Sequence, residues 1–254
     1  MIDLGNLGGT LSFGAQCANS RGQIIGMSTL AGDAMSHAFF WQDGVLTDLG
    51  TLGGNNSEAI WIDDAGNVVG SADLPGSQVH DAVIWRHGKI HDLGTVAGDP
   101  CSRGRGLNSR GQVVGGSSDC RNFLHAFVWE EGGPMLDLNT LIAPGSGFQL
   151  TNAFNINDRG QILAKAAPVG FTPNDDADLG HLVLLIPCEA EDDEGCDPNA
   201  THAYHAAPRI LESDIVSTAA TMAQDPLPPD ENVAAWRARL ARQYHFPRIG
   251  APKN

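Results

Sequence analysis

HAFFWQDGVLTDLGTLGG, residues 37–54, decides the fold, because versions of it return along the chain. Its Asp-Leu-Gly landmark, or Asp-Leu-Asn, begins at Asp3, Asp48, Asp92 and Asp137, in steps of 45, 44 and 45 residues. Its aromatic strand recurs as His37-Ala-Phe-Phe-Trp41, Asp81-Ala-Val-Ile-Trp85 and His125-Ala-Phe-Val-Trp129, each 44 residues from the last, and His181-Leu-Val-Leu-Leu185 is a degenerate fourth copy. A third landmark precedes the strand, as Asn19-Ser-Arg-Gly-Gln23, Asp63-Asp-Ala-Gly-Asn67, Asn108-Ser-Arg-Gly-Gln112 and Asn157-Asp-Arg-Gly-Gln161. Self-similarity at such a period marks a repeat array, in which each unit buries its apolar surface against its neighbours.

Inside one unit the pattern is that of short strands and tight turns. Residues 15–19 and 23–27 are β-type runs joined by Asn-Ser-Arg-Gly, where the Asn side chain opens the turn and Gly supplies positive φ. Residues 37–42 alternate, with Phe39 and Trp41 on one face and Phe40 on the other; Asp43-Gly44 turns the chain into residues 45–49. Four strands with turn signals at about ten-residue spacing describe an antiparallel meander. The expected fold is therefore all-β, a β-propeller-like array of four four-stranded repeats spanning residues 1–187, with a linear β-solenoid as the rival. The fourth repeat lacks its last strand, since Pro187 and an acidic stretch follow residues 181–186. Residues 2–7 are an orphan strand that would pair there and close a four-blade ring; the alternative is that these are four blades of a larger propeller.

Charge and composition narrow the partners. A formal net charge of −15 disfavours phosphate-backbone binding, so nucleic acid is not an expected partner. No apolar run approaches the roughly 18 residues of a membrane span. Met1 opens directly into the repeat with no charged or apolar leader, so no export signal is read within the chain.

HAFFWQDGVLTDLGTLGG, INDRGQIL and HAFVWEEGGPMLDLNTL together resemble the HAF-type extracellular repeat family of bacterial proteins, over residues 2–187. The resemblance implies a secreted or surface propeller-like protein with no assigned reaction, catalytic residue or cofactor. Asp81 stands where the family strand has His, and Leu182-Val183 where it has Ala-Phe.

Five cysteines are present. Mirroring Cys101 through the hairpin centre between Ser109 and Arg110 lands on residue 118, and one bulge brings Cys120 closer, so Cys101–Cys120 is an expected disulfide. Cys188 and Cys196 enclose a polar acidic loop and form a second expected pair; Cys17 is left alone. No Cys-x-x-Cys motif indicates zinc.

Residues that repeat report the scaffold. His37 and His125 are expected to make structural hydrogen bonds within their blades, and Asp48, Asp92 and Asp137 to cap their Leu-Gly turns rather than ring a cation. Phe39, Trp41, Trp85, Phe127 and Trp129 are the expected repeat core. The largest departure is the insertion at residues 167–180. Its Asp175, Asp176 and Asp178 offer oxygen ligands without EF-hand spacing, leaving a solvated acidic loop as the simpler reading and calcium as the alternative.

Residues 188–229 read as an acidic, largely disordered linker, and residues 230–254 as a basic amphipathic helix and tail, with Val233, Trp236, Leu240 and Tyr244 on one side. No nucleophile elbow, metalloprotease motif or phosphate-binding loop occurs. The expected function is a non-catalytic, extracellular, monomeric scaffold that binds a protein or carbohydrate. The alternative is a glycan-active enzyme with an acidic pocket in a propeller channel.

Overall fold

The computed structural model describes residues 1–142, 145–170 and 180–187. They form four antiparallel sheets, one per repeat. The first is β1 (Gly8–Ala18), β2 (Ile24–Leu30), β3 (Ser36–Gln42) and β4 (Val45–Asp48). The second is β5 (Ser57–Ile62), β6 (Val68–Asp73), β7 (His80–Arg86) and β8 (Lys89–Asp92). The third is β9 (Cys101–Leu107), β10 (Val113–Ser118), β11 (Phe123–Trp129) and β12 (Leu136–Asp137), followed by a 3₁₀ turn at Leu138–Thr140. The fourth has three strands, β13 (Phe148–Ile156), β14 (Ile162–Pro168) and β15 (His181–Leu185). Every sheet pairs its strands in chain order.

The turns explain the meander. Asn19 Oδ1 accepts from the backbone N–H of Arg21 and Gln23, both at 3.1 Å, and Asn108 and Asn157 do the same for Arg110 and Gln112 and for Arg159 and Gln161. Asp43-Gly44 and His87-Gly88 take positive φ at both positions, the geometry whose twist matches two paired strands.

Each first strand carries at least one extra residue, and β13 carries two. Ile60, Arg105 and Phe154 interrupt the pairing of β5, β9 and β13 with the strand that follows. The bulge throws a backbone carbonyl across the neighbouring strand, and glycine makes room for it. A Cβ on Gly70 would sit 1.8 Å from the Glu58 carbonyl, and one on Gly115 would sit 2.0 Å from that of Arg103.

Stacking supplies the core. β5 packs on β1, β2 and β3; β9 on β5, β6 and β7; β13 on β9, β10 and β11. Each of the three gaps between sheets holds its own apolar cluster. Val68, Val83 and Trp85 join Ile25 and Ile62 in the first gap, while their neighbours Val69 and Ile84 join Val113 and Phe127 in the second. Val114 and Val128 turn to the third, with Leu150, Ile156 and Ile162. Polar ties cross the gaps as well. The backbone N–H groups of Ala38 and Ala82 donate to the hydroxyls of Ser57 and Ser102, and Trp85 Nε1 donates to the Leu49 carbonyl at 2.8 Å.

Cys101 and Cys120 are disulfide-bonded, with Cα atoms 5.0 Å apart. Cys101 does pair with Ser118; the chain then turns back, with Cys120 at φ 71°, to bring the second sulfur over the first. Closing a loop of this length contributes about 3 kcal/mol in the chain-entropy account.

The N-terminal closing strand is a correction. Residues 1–7 form no strand, Ile2 is 73% exposed, and β15 pairs only with β14. The reason lies in register: β4 and β8 end at Asp48 and Asp92, and the Asp3 carboxylate likewise accepts from the Gly5 N–H, so residues 3–7 are turn rather than strand. The Cys188–Cys196 pair, the loop of Asp175, Asp176 and Asp178, the linker at 188–229 and the helix at 230–254 all lie outside the described residues.

Trp85→Ala should lower stability by roughly 3–5 kcal/mol, because it empties the first gap and removes the tie to Leu49; an unchanged denaturation midpoint would contradict this. Deleting residues 1–6 should shift the melting temperature by no more than about a degree, since they contribute no ladder. A drop of several degrees would restore the closing-strand account.

Candidate functional site

The repeated polar residues go into holding the scaffold. His37 Nδ1 lies 2.9 Å from the Asp48 carboxylate, within the first sheet. His125 instead meets Asp99, at 2.8 Å, in the segment between β8 and β9. Asp48 and Asp92 each accept from the N–H two residues on, Gly50 and Gly94 at 2.8 Å, and Asp137 accepts from Asn139 N–H at the same distance. Phe39, Trp85 and Phe127 are buried; Trp41 and Trp129 are half-buried, Trp129 against the second cluster.

The second repeat departs from this pattern. Asp81 occupies the place of His37 and faces Asp92, so two carboxyls meet where the first sheet has a His–Asp pair. Burial, then the charge of Asp92 and a hydrogen bond to it, push Asp81 up to about 6. Two like charges at this distance disfavour each other, so Asp81 keeps its proton to higher pH than an isolated carboxyl.

The side chains that differ most between repeats lie on the first strands. Counting back from the turn, one position holds Gly14, Glu58, Arg103 and Asn152, and another holds Gln16, Ile60, Arg105 and Phe154. The stacking of β9 on β5 and of β13 on β9 gathers those of β5, β9 and β13. Arg103 Nη1 lies 3.6 Å from Glu58 Oε2, with both side chains about one-third exposed. A cleft of about 150 Å³ opens beside them, lined by Met27, Asn56, Ser57, Glu58, Ser71, Asp73 and Arg103. Its two carboxylates are engaged within the fold: Glu58 faces Arg103, and Asp73 Oδ2 accepts from the backbone and side-chain N–H of Asn56 at 3.1 and 2.8 Å.

Electrostatics here are dominated by burial. Desolvation weakens the hold of Arg105 on its proton, Arg103 beside it adds to this, and Glu58 opposes it. His80 is also held below its ordinary range, first by burial and then by Arg103, against the pull of Asp73 and Glu58. None of these residues belongs to a motif, and the repeat period marks only positions that agree between repeats. The signal that finds them is disagreement between aligned repeats at two positions before a shared turn.

Among the described residues no helix is long and apolar enough to cross a membrane. No protein-family model matches this chain, and no curated protein matches it.

A carboxyl held above its ordinary 3.8 binds its proton more tightly folded than unfolded, so Asp81 makes stability fall as pH rises from about 4 to about 6, leaving the full penalty above 6. Asp81→Asn should remove that slope and raise the melting temperature at pH 7. Parallel melting curves for wild type and variant across this window would show that Asp81 does not carry it.

Proposed function

We propose that this protein is a non-catalytic, extracellular binding scaffold, a β-propeller-like array in which stacked sheets hold a variable set of first-strand side chains around a polar cleft. The observation that carries this reading is the contrast between repeated and unrepeated residues. His37, Asp48, Asp92 and Trp85 are engaged in hydrogen bonds of the scaffold, whereas Glu58, Arg103 and Arg105 break the repeat and gather at one place. Rigid scaffolds that carry recognition on variable positions use this division of labour.

Support for an extracellular setting comes from the Cys101–Cys120 disulfide, which persists in oxidising compartments, and from the resemblance to HAF-type extracellular repeats. The propeller-like reading draws on the four meander sheets, whose first strands pack side by side in succession. Short polar side chains lining the cleft favour a carbohydrate over a protein as ligand. The glycan-active enzyme is the second reading, favoured by Glu58 and Asp73 sharing one cleft; against it, each carboxylate is already bound by a neighbour.

The full chain, immobilised and exposed to panels of neutral polysaccharides, acidic polysaccharides and proteins, should retain a polysaccharide without releasing reducing ends. Glu58→Ala should weaken that binding by about tenfold or more, while Thr47→Ala on exposed β4 leaves it unchanged. Binding that ignores Glu58→Ala would put the ligand elsewhere, and released reducing ends would favour the enzyme.

A further inference from the structure

Arg105, the residue that the bulge adds to β9, stands against two phenyl rings. Its Cζ lies 4.9 Å from the centroid of Phe123 and 5.7 Å from that of Phe154. Rings over a guanidinium occupy its faces and leave its edge, where five N–H donors lie in one plane. Among the described residues no carboxylate forms an ion pair with Arg105, and its Nε is buried with no protein acceptor.

Two more orphaned polar atoms adjoin it. Arg103 Nε is buried and unpartnered, and so is Oδ1 of Asn152, a residue only 4% exposed. A Cβ built on Gly116 would meet the Phe123 ring at 2.3 Å and Asn152 Oδ1 at 2.7 Å, so this oxygen lies beside a ring that flanks Arg105. Among the described residues, four buried side-chain polar atoms lack a protein partner, and three of them are gathered here. Neither nearby carboxylate is free for Arg105: Glu58 is taken by Arg103, and Asp73, which lines the cleft with Arg103, is held by Asn56.

We propose that Arg105 anchors an anion subsite that takes the carboxylate of an acidic sugar, a uronic acid unit, whose ring hydroxyls are met by the cleft that its neighbour Arg103 lines. This rests on the binding reading above and names its ligand class. A planar carboxylate matches the planar donor edge, which a point charge such as ammonium does not reproduce. The cleft then chooses between acidic ligands. Asn56, Ser57, Ser71 and Asp73 present short donors and acceptors in about 150 Å³, a space on the scale of one hydroxylated ring.

The test is NMR titration of the full chain with sodium D-glucuronate, D-glucose and N-acetyl-aspartate. Glucuronate should bind at least about tenfold tighter than either of the others. Arg105→Gln should erase that preference, and Arg105→Lys should recover only part of it, because the charge returns without the planar edge. Asn152→Asp, nearly isosteric and therefore informative should Arg105→Gln not fold, sets a carboxylate beside the Phe123 ring. It should cut glucuronate binding by about tenfold and leave glucose unchanged.

Glucose bound as tightly as glucuronate overturns the anion anchor, as does a folded Arg105→Gln that binds like wild type, or an absence of binding by both sugars. N-acetyl-aspartate bound as tightly as glucuronate overturns the sugar assignment. Equal binding of glucose and glucuronate that is still lost in Glu58→Ala removes the anchor and leaves the cleft reading standing, whereas the polysaccharide panel failing altogether removes the reading itself.

Discussion

A sheet whose second strand reads Val-Val-Gly-Ser or Val-Val-Gly-Gly cannot make a core of its own, and the rest of the structure depends on that constraint. Adjacent residues of a strand point to opposite faces, so Val68 and Val69, or Val113 and Val114, enter different cores. Each fully buried Val contributes roughly 1.5–3 kcal/mol, but only once a neighbouring sheet covers it. The second and third sheets are covered on both sides, and the whole of β10 is buried. Among the described residues, the first and fourth are covered on one side. Leu11 and Phe13 at one end, and Leu163, Leu182 and Leu184 at the other, are exposed in consequence.

Close stacking also explains the bulges. An extra residue in the first strand tightens its twist and tips a carbonyl toward the second strand, where only a glycine leaves space. The same extra residue has no partner in the ladder, so its side chain is free of the in-out alternation that binds its neighbours. Ile60, Arg105 and Phe154 therefore differ in chemistry without disturbing the sheets that carry them. A device required by packing becomes the place where repeats diverge.

The sequence made the sheets legible because turn chemistry is local. Asn19, Asn108 and Asn157 each hold the turn that their own side chain opens, and the alternation in residues 37–42 needs no knowledge of neighbours. The disulfide was legible for the same reason, being a matter of hairpin register. What escaped was set between repeats. The hydroxyl and N–H of Ser20 bind Asp64, and the N–H of Ser109 binds Asp158, joining the first turn to the second and the third to the fourth. His125 turning to Asp99 rather than to Asp137 is likewise a fact about packing. Residues 2–7 form no strand because Asp-Leu-Gly marks where a strand stops.

Asp81 and the Arg105 neighbourhood are both departures from the repeat that the fold bears at some cost, but they differ in kind. The Asp81–Asp92 pair relieves its own strain by keeping a proton, so its penalty is confined to the pH range in which that proton is lost. An arginine has no such escape, because its guanidinium stays charged throughout the accessible range. Each buried donor or acceptor without a partner costs about 1–3 kcal/mol, and the scaffold bears that cost at Arg103, Arg105 and Asn152 together. Three well-filled gaps between sheets make the cost bearable, and the bulge confines it to side chains that the ladder does not use. Stability is thus supplied by what repeats, and the unmet polar demand sits with what does not.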